Sequence, residues 1–282
     1  MKSIQSIVVC GAGTMGSGIA QVAIQAGLKT IQFDLNESAL AKSKETIQLQ
    51  MNRLVEKGKL SEEQKAQMLG LLHFTSTIED CKADLIIEAI IEKIEAKIEL
   101  FKQLAAINDP STILATNTSS ISIDAIAAGL VKPSILVGMH FFNPAPIMKL
   151  VEVIAGKQSS PEAVELVMNL TKAMGKVPVL CTDSPGFIVN RVARHYYLEA
   201  MEMVSNGFID IESVDAFMEA AGFKMGPFKL MDLIGMDINY SVSNIVWEAL
   251  GKPQRLTPSP LQKEKVENGQ LGKKTGRGFY SY

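Results

Sequence analysis

The chain contains few cysteines and no long hydrophobic run. Its three cysteines, Cys10, Cys81 and Cys181, are widely spaced and odd in number, which argues against a disulfide framework and favours a reducing cytoplasm. No window approaches the roughly 20 continuous apolar residues of a membrane helix, and no signal-peptide pattern opens the chain. The formal net charge of −2 gives no general attraction to nucleic acid or membrane. We therefore expect a cytoplasmic protein that binds neither, and we predict no metal site.

Length and periodicity predict two domains. The chain of 282 residues is longer than a single typical domain, since domains commonly contain roughly 100 to 200 residues. From Ile4 to Val179, short β-branched runs alternate with longer amphipathic stretches, which is the pattern of a parallel sheet covered by helices. Strands are predicted near residues 4–10, 30–34, 71–75, 84–88, 112–115, 135–141, 149–154 and 177–181. Beyond these, apolar residues recur at helical spacing with no convincing strand.

The helical region is predicted to begin at Asp183-Ser184-Pro185-Gly186. Ser184 fits an N-cap and Pro185 fits the first helical position. This boundary divides the chain into domains of residues 1–183 and 184–282. The predicted fold is α/β: a Rossmann-like doubly wound sheet with a helical-hairpin insertion, followed by an all-α C-terminal domain.

The insertion occupies about residues 37–70 and is far longer than a usual crossover between strands. Leu40, Ile47 and Leu54 mark the buried stripe of its first helix. A capping-box pattern at Ser61-Glu62-Glu63-Gln64 predicts the start of its second helix.

A glycine-rich turn follows the first predicted strand and leads into a helix that ends at Gly27. The turn consists of Gly11, Ala12, Gly13, Thr14, Met15 and Gly16. Its glycines permit a tight turn in which backbone N–H groups approach a pyrophosphate at the positive end of the helix dipole. The complete strand-turn-helix-strand context disfavours the alternative of an ordinary turn without a ligand. The pattern therefore predicts a dinucleotide site.

Asp34 ends the second predicted strand, about 20 residues beyond the glycines. Its carboxylate can accept both ribose hydroxyls of an adenosine, whereas a 2′-phosphate at that place would meet a like charge. No arginine occurs in the following Leu35-Asn36-Glu37. We therefore expect the cofactor to be NAD rather than NADP.

Three histidines are candidates for a general base, and His73 and His195 fit packing or surface positions better. His140 ends a predicted strand, while Glu152 lies at the centre of an apolar strand, where an unpaired charge would cost several kcal/mol. If the two strands form a hairpin centred on Pro146, His140 and Glu152 lie opposite each other. Such a pair can exchange a proton with a substrate hydroxyl, and a structural salt bridge is the alternative.

Two further polar features lie near the ends of predicted elements. The run Thr116-Asn117-Thr118-Ser119-Ser120 follows a strand at the carboxyl edge, where doubly wound sheets bind ligands. For this run taken alone, a capping cluster for the helix near Ile123 is the favoured alternative. Asn190 is expected one to two turns into the first helix of the C-terminal region, from where it could reach a ligand.

Six stretches of the chain carry a further pattern, at residues 11–16, 117–120, 140–152, 183–191, 225–228 and 273–280. Together they resemble the L-3-hydroxyacyl-CoA dehydrogenase family over essentially the whole chain. The length resembles that of the stand-alone 3-hydroxybutyryl-CoA dehydrogenase type. The resemblance implies NAD-dependent interconversion of (S)-3-hydroxyacyl-CoA and 3-oxoacyl-CoA with short acyl chains. It also implies that the C-terminal helices form the interface of a homodimer. These helices would also contribute to the substrate cleft.

The resemblance implies a role for each matching residue. His140 would be the catalytic base and Glu152 its orienting partner, while Ser119 and Asn190 would hydrogen-bond the substrate. The cofactor would also be contacted by Ser119, Glu92, Lys97, Asn143 and Lys274. The CoA moiety would be contacted by Arg53, Lys57 and Lys97, with Gln50 at a further family contact position. For any single lysine of the hairpin, a solvated basic helix face is the favoured alternative.

Two other functions remain open on the sequence alone. A related dehydrogenase of a free hydroxy acid, of the gulonate type, would need no basic surface for CoA, and the turn after His140 resembles the CoA-ester branch instead. A structural or dinucleotide-sensing protein without turnover, as among lens crystallins, would not be expected to keep Ser119, His140, Glu152 and Asn190 together.

Overall fold

The computed structural model describes residues 4–282, and the chain divides into two compact units after Asp183. We call them the N-terminal unit and the C-terminal unit. Within the described residues, no helix is both long enough and apolar enough to cross a membrane.

The N-terminal unit contains an eight-stranded sheet. Its strands are β1 (Ser6–Cys10), β2 (Lys29–Phe33), β3 (Leu72–Thr75), β4 (Leu85–Glu88), β5 (Ile113–Thr116), β6 (Leu136–Phe141), β7 (Leu150–Ala155) and β8 (Val177–Thr182). They lie in the order β3-β2-β1-β4-β5-β6-β7-β8. Neighbouring strands are parallel except β6 and β7, which are antiparallel. The predicted Rossmann-like sheet is therefore confirmed.

The helices of this unit include the predicted insertion. They are α1 (Thr14–Gln25), α2 (Glu37–Glu56), α3 (Glu62–Leu69), α4 (Ile94–Ile107), α5 (Ile123–Ala127) and α6 (Pro161–Ala173). The insertion consists of α2 and α3. Ser61 and Gln64 form the capping box of α3, as predicted. Leu40 and Ile47 are buried, whereas Leu54 is only half-buried.

The strands at the centre of the sheet are buried along nearly their whole length, as expected for parallel strands packed between helices. β8 at the edge differs, because Val177, Val179 and Leu180 are exposed. The parallel strands β1, β4, β5 and β6 end at the same edge of the sheet, which brings the loops that follow them close together.

The C-terminal unit is all-α, as predicted. Its helices are α7 (Val189–Ser205), α8 (Ile211–Ala220), α9 (Pro227–Ile234), α10 (Met236–Ala249) and α11 (Pro260–Glu267). A separate apolar core, with Met201, Phe228, Met231 and Val246 among its buried members, holds these helices together.

The prediction that Ser184 caps the first helix of this unit is wrong. α7 begins at Val189, and the Ser184 carbonyl instead accepts a turn hydrogen bond from the Phe187 N–H at 2.9 Å. Gly186 (φ +74°) and Phe187 (φ +47°) lie in the left-handed region, which interrupts any helix begun before them. Asn190 is therefore the second residue of α7, not one to two turns inside a helix.

Two buried aspartates hold the C-terminal tail against the helices. Asp232 accepts hydrogen bonds from the backbone N–H groups of Phe279 and Tyr280, both at 2.9 Å, and from the Tyr282 hydroxyl at 3.2 Å. Asp215 accepts one from the Tyr280 hydroxyl at 2.8 Å. Burial and the neighbouring Asp232 carboxylate raise the pKa of Tyr282 to about 12, so its hydroxyl stays protonated and can donate.

Asp232→Asn is expected to destabilise the C-terminal unit. In the natural chain both carboxylate oxygens accept hydrogen bonds from backbone N–H groups. The amide NH₂ of the substituted side chain would face one of these N–H groups, so that buried donor would lose its hydrogen bond. We expect the free energy of unfolding in urea to fall by about 2–3 kcal/mol. The control Glu199→Gln, at an exposed site of α7, should change it by less than about 0.5 kcal/mol. Equal stability of the two variants would contradict the role of Asp232.

Candidate active site

The glycine turn lies between β1 and α1. Gly11 has φ +108°, and a Cβ there would lie 2.4 Å from the Ala89 carbonyl oxygen, so a side chain does not fit. A Cβ on Gly16 would lie 2.0 Å from the Gly11 carbonyl oxygen. Gly13 is the N-cap of α1, provides no side-chain cap, and has open space around its Cβ position. The first turn of α1 can therefore present its N–H groups to a pyrophosphate.

Asp34 directly follows β2 beside this turn. Its Oδ2 accepts a hydrogen bond from the Ala12 N–H at 2.8 Å, and its Oδ1 accepts one from the Asn36 N–H at 2.9 Å. The Gln32 side-chain amide also donates to the Gly11 carbonyl at 3.1 Å, which ties β2 to the turn. Each carboxylate oxygen retains a lone pair that can accept a hydroxyl. The arrangement thus fits the adenosine ribose of a dinucleotide.

A cleft of about 440 Å³ opens beside the glycine turn, between α1, α2 and the β6–β7 turn. Lys42, Thr46 and Gln50 line it from α2. The predicted CoA contacts Arg53 and Lys57 do not line it, but Arg53 continues the same side of α2, and Lys57 lies on that side at the C-cap just beyond Glu56. At 100° per residue, all five side chains fall within an arc of about 80°.

His140 and Glu152 face each other across the β6–β7 hairpin, in the register expected for a hairpin centred on Pro146. His140 Nδ1 lies 2.7 Å from Glu152 Oε2, and both side chains are buried. The Phe142 ring packs against the imidazole with a centroid distance of 4.5 Å. A carboxylate at Nδ1 favours the tautomer with its proton on Nδ1, so Nε2 is the nitrogen that can exchange a proton.

A buried ion-pair network joins β4, α4 and the loop after β5. Glu88 at the end of β4 is fully buried, and its Oε1 lies 2.6 Å from Lys97 Nζ. Lys97 also pairs with Glu92 at 3.1 Å and is itself 1% exposed. The Thr116 hydroxyl donates to Glu88 Oε2 at 2.7 Å. Lys97 is therefore held between two carboxylates rather than presented to solvent.

Glu92 extends this network to the loop after β5. Its Oε1 accepts hydrogen bonds from the Thr118 hydroxyl at 2.5 Å, the Ser119 N–H at 3.0 Å and the Ser120 hydroxyl at 3.1 Å. Burial raises the pKa of Glu92, but the Lys97 ammonium and these hydrogen bonds outweigh it and lower the pKa below its ordinary value. The structure thus brings together Glu92, Lys97 and Ser119, three of the predicted cofactor contacts.

The capping interpretation of the run from Thr116 to Ser120 is wrong. The cap of α5 is Ser122, whose side chain accepts a hydrogen bond from the Ala125 N–H at 3.1 Å. The polar run is instead hydrogen-bonded to two carboxylates, the buried Glu88 and the partly exposed Glu92. Its Asn117 side chain also accepts from the Phe141 N–H at 2.8 Å, which ties this loop to the end of β6.

Asn190 and Lys274 belong to the C-terminal unit. The Asn190 carbonyl accepts a hydrogen bond from Arg194 Nε at 3.0 Å, which anchors the first turn of α7. Lys274 Nζ lies 2.6 Å from both carboxylate oxygens of Asp237. Partial burial alone would raise the pKa of Asp237. The hydrogen bonds and the charge of Lys274 outweigh it, so the pKa lies below its ordinary value.

Two residues of the candidate site were not predicted from the sequence, although a signal existed for each. Glu88 ends the apolar run Leu85-Ile86-Ile87, which is the same pattern of a charge in a buried strand that pointed to Glu152. Lys42 lies three turns before Arg53 on one side of α2, which helical periodicity could have identified.

Known proteins match the chain in both units. Residues 6–184 match the NAD binding domain of 3-hydroxyacyl-CoA dehydrogenase, and residues 186–282 match its C-terminal domain. The chain is 45% identical to a 3-hydroxyadipyl-CoA dehydrogenase of Escherichia coli, over 100% of the chain and 60% of that protein. It is 42% identical to a probable 3-hydroxybutyryl-CoA dehydrogenase of Deinococcus radiodurans, over 97% of the chain and 99% of that protein.

The fold is also similar to the crystal structure of an (S)-3-hydroxybutyryl-CoA dehydrogenase from Ralstonia eutropha. The TM-score is 0.95 at 38% identity, and the match covers 99% of both chains. The chain thus spans about 60% of the E. coli relative but nearly all of the other two. With a dinucleotide turn in its first unit and family matches over both units, the chain belongs to the NAD-dependent 3-hydroxyacyl-CoA dehydrogenase family.

Proposed function

We propose that the chain interconverts (S)-3-hydroxyacyl-CoA and 3-oxoacyl-CoA, with a short acyl chain of the 3-hydroxybutyryl type. The observation that carries this proposal is the buried contact of 2.7 Å between His140 Nδ1 and Glu152 Oε2, at the sheet edge that also bears the glycine turn. The names of the Deinococcus and Ralstonia relatives support the acyl-CoA substrate.

In this proposal the His140 imidazole exchanges a proton with the substrate, and Glu152 keeps that imidazole oriented. When the alcohol is oxidised, Nε2 takes the proton of the C3 hydroxyl, and the Glu152 carboxylate stabilises the imidazolium that results. In the reverse direction the same nitrogen returns the proton to the ketone oxygen. The glycine turn and Asp34 would hold NAD, which would supply the hydride acceptor for oxidation at C3 and, as NADH, the hydride donor for the reverse reaction. Ser119 and Asn190 are proposed to hydrogen-bond the substrate.

The cleft beside the glycine turn is the proposed site of the CoA moiety. Lys42 lines it, and Arg53 and Lys57 extend its basic side along α2, where they suit the CoA phosphates. Asn143 lines the same cleft from the β6–β7 turn and is proposed to lie near the cofactor. Because Lys97 is enclosed by carboxylates, we propose that it acts on the ligands through Glu92.

An assay of NADH consumption tests the substrate class. We expect the kcat/KM of acetoacetyl-CoA to exceed that of acetoacetate by at least about 100-fold, because binding energy from the CoA moiety positions the reacting carbon. A free keto acid turned over equally well would instead indicate a hydroxy-acid dehydrogenase. NADH binding without turnover of either compound would indicate a sensing or structural protein.

His140→Ala tests the proton-transfer role. We expect kcat with acetoacetyl-CoA to fall by about 10² to 10⁴-fold, the usual contribution of a general acid or base. The Kd of NADH should change less than about twofold, since binding does not depend on the lost proton transfer. The matched control is His73→Ala, at the exposed histidine of β3, which should keep full activity. Most of the activity remaining in His140→Ala would remove His140 from this role.

Asp34→Asn tests the choice of cofactor, because the amide oxygen can still accept the Ala12 N–H while the charge is lost. We expect the natural chain to use NADH at least about 100-fold more efficiently than NADPH, and the variant to narrow this ratio about tenfold or more. The control Glu37→Gln removes a nearby exposed charge and should leave the ratio unchanged. A natural preference for NADPH would contradict the argument.

We also propose a homodimer formed through the C-terminal helices, in a reducing cytoplasm. Phe208, Phe217 and Ile238 are exposed apolar side chains of the C-terminal unit, and a second copy could bury them. Sedimentation should give a dimer that Phe217→Asp weakens, and a monomer at every concentration would contradict the proposal.

The three cysteines form no disulfide, which supports the proposed reducing compartment. Cell fractionation can test this placement.

A further inference from the structure

The turn between β6 and β7 forms one wall of the cleft. Asn143, Ala145 and Ile147 line the cleft from this turn. Within the turn, the backbone N–H groups of Ile147 and Met148 both donate to the Pro144 carbonyl at 3.0 Å. The carbonyl groups of Ala145 and Met148 are left to find partners outside the turn.

Lys176 supplies that partner. Its Nζ donates to the Ala145 carbonyl at 2.5 Å and to the Met148 carbonyl at 2.9 Å. Lys176 lies between the end of α6 and the start of β8, and it is only 8% exposed. Within residues 4–282, the ion pairs of the structure give it no carboxylate partner.

A buried ammonium group without a carboxylate is unusual. Burial disfavours its charge and, together with Lys149, lowers the pKa of Lys176 below its ordinary value. An apolar side chain could fill the same space without this desolvation cost. The two carbonyl contacts therefore indicate what the charged group does in this place: it holds two points of the turn at once.

The opposite side of the turn rests on α1. A Cβ added at Gly18 would lie 3.1 Å from Ala145 Cβ and 3.2 Å from Pro146 Cδ, so the helix and the turn are in close contact. The turn is thus enclosed between the helix that follows the glycine turn and the Lys176 ammonium group. If the ammonium group were lost, the turn would be held from one side only.

We propose that Lys176 is a positioning residue that holds the β6–β7 turn as the wall of the acyl-CoA cleft. The proposal rests on the proposed function for the identity of the ligand. Lys176 does not touch the reacting atoms in this scheme. It acts through Ala145 and Met148 on the position of the wall, and therefore on substrate binding more than on proton transfer.

Lys176→Met tests this role, because it keeps the length of the side chain and removes its donors and charge. We expect the KM of acetoacetyl-CoA at saturating NADH to rise about tenfold, while kcat changes less than about threefold, because the His140–Glu152 pair lies in the strands. The matched control Lys172→Met, at an exposed lysine of α6, should change neither value. A lower Tm with an unchanged KM would reduce Lys176 to a structural residue and overturn the proposal.

Hydrogen exchange separates this proposal from the proposed function. In Lys176→Met the amides of Ile147 and Met148 should exchange at least about tenfold faster than in the natural chain and in Lys172→Met, because their turn opens locally. If the natural chain does not reduce acetoacetyl-CoA, the proposed function fails, and unchanged exchange would overturn the Lys176 proposal independently. Lys176→Gln, which keeps a shorter donor, replaces the Met variant in both measurements if the latter does not fold.

Discussion

An ionised side chain loses its water when a protein folds around it, and it then needs another partner. In the N-terminal unit Glu88 is paired with Lys97, and Glu152 with His140. In the C-terminal unit Asp232 receives two backbone N–H groups instead. Each charged group and its partner lie on different elements of the chain. The ion pair or hydrogen bond that compensates the buried charge therefore also fixes the relative position of those elements. The polar part of the site depends on this constraint.

The antiparallel return of β7 gives the site its second constraint. His140 lies near the end of β6, and the hairpin brings Glu152 of β7 directly opposite it. The turn between the strands is then free to form the wall of the cleft, where Lys176 holds it. One change of strand direction therefore determines both the His140–Glu152 contact and the surface beside it.

Local patterns were sufficient to predict most of the sheet, because β-branched runs bounded by turn residues mark strands well. The register of His140 and Glu152 followed from the hairpin centre, since side chains alternate with a period of two. The start of α7 could not be predicted from Ser184, because the left-handed backbone of Phe187 is not visible in residue type. The donors that reach Glu92 from the loop after β5, and the carbonyl partners of Lys176, lie 26 to 31 residues away in the chain and depend on tertiary packing.

The hairpin also has a consequence for the order in which the site is built during folding. His140 and Glu152 are 12 residues apart in sequence, whereas the Thr116–Glu88 hydrogen bond spans 28 residues. Short loops lose less entropy on closure, and local contacts form faster. The glycine turn can take its final conformation only after β4 has paired with β1, since Gly11 packs against Ala89, which directly follows β4. The β6–β7 hairpin is thus expected to form first and the glycine turn later, although the glycine turn comes first in the sequence.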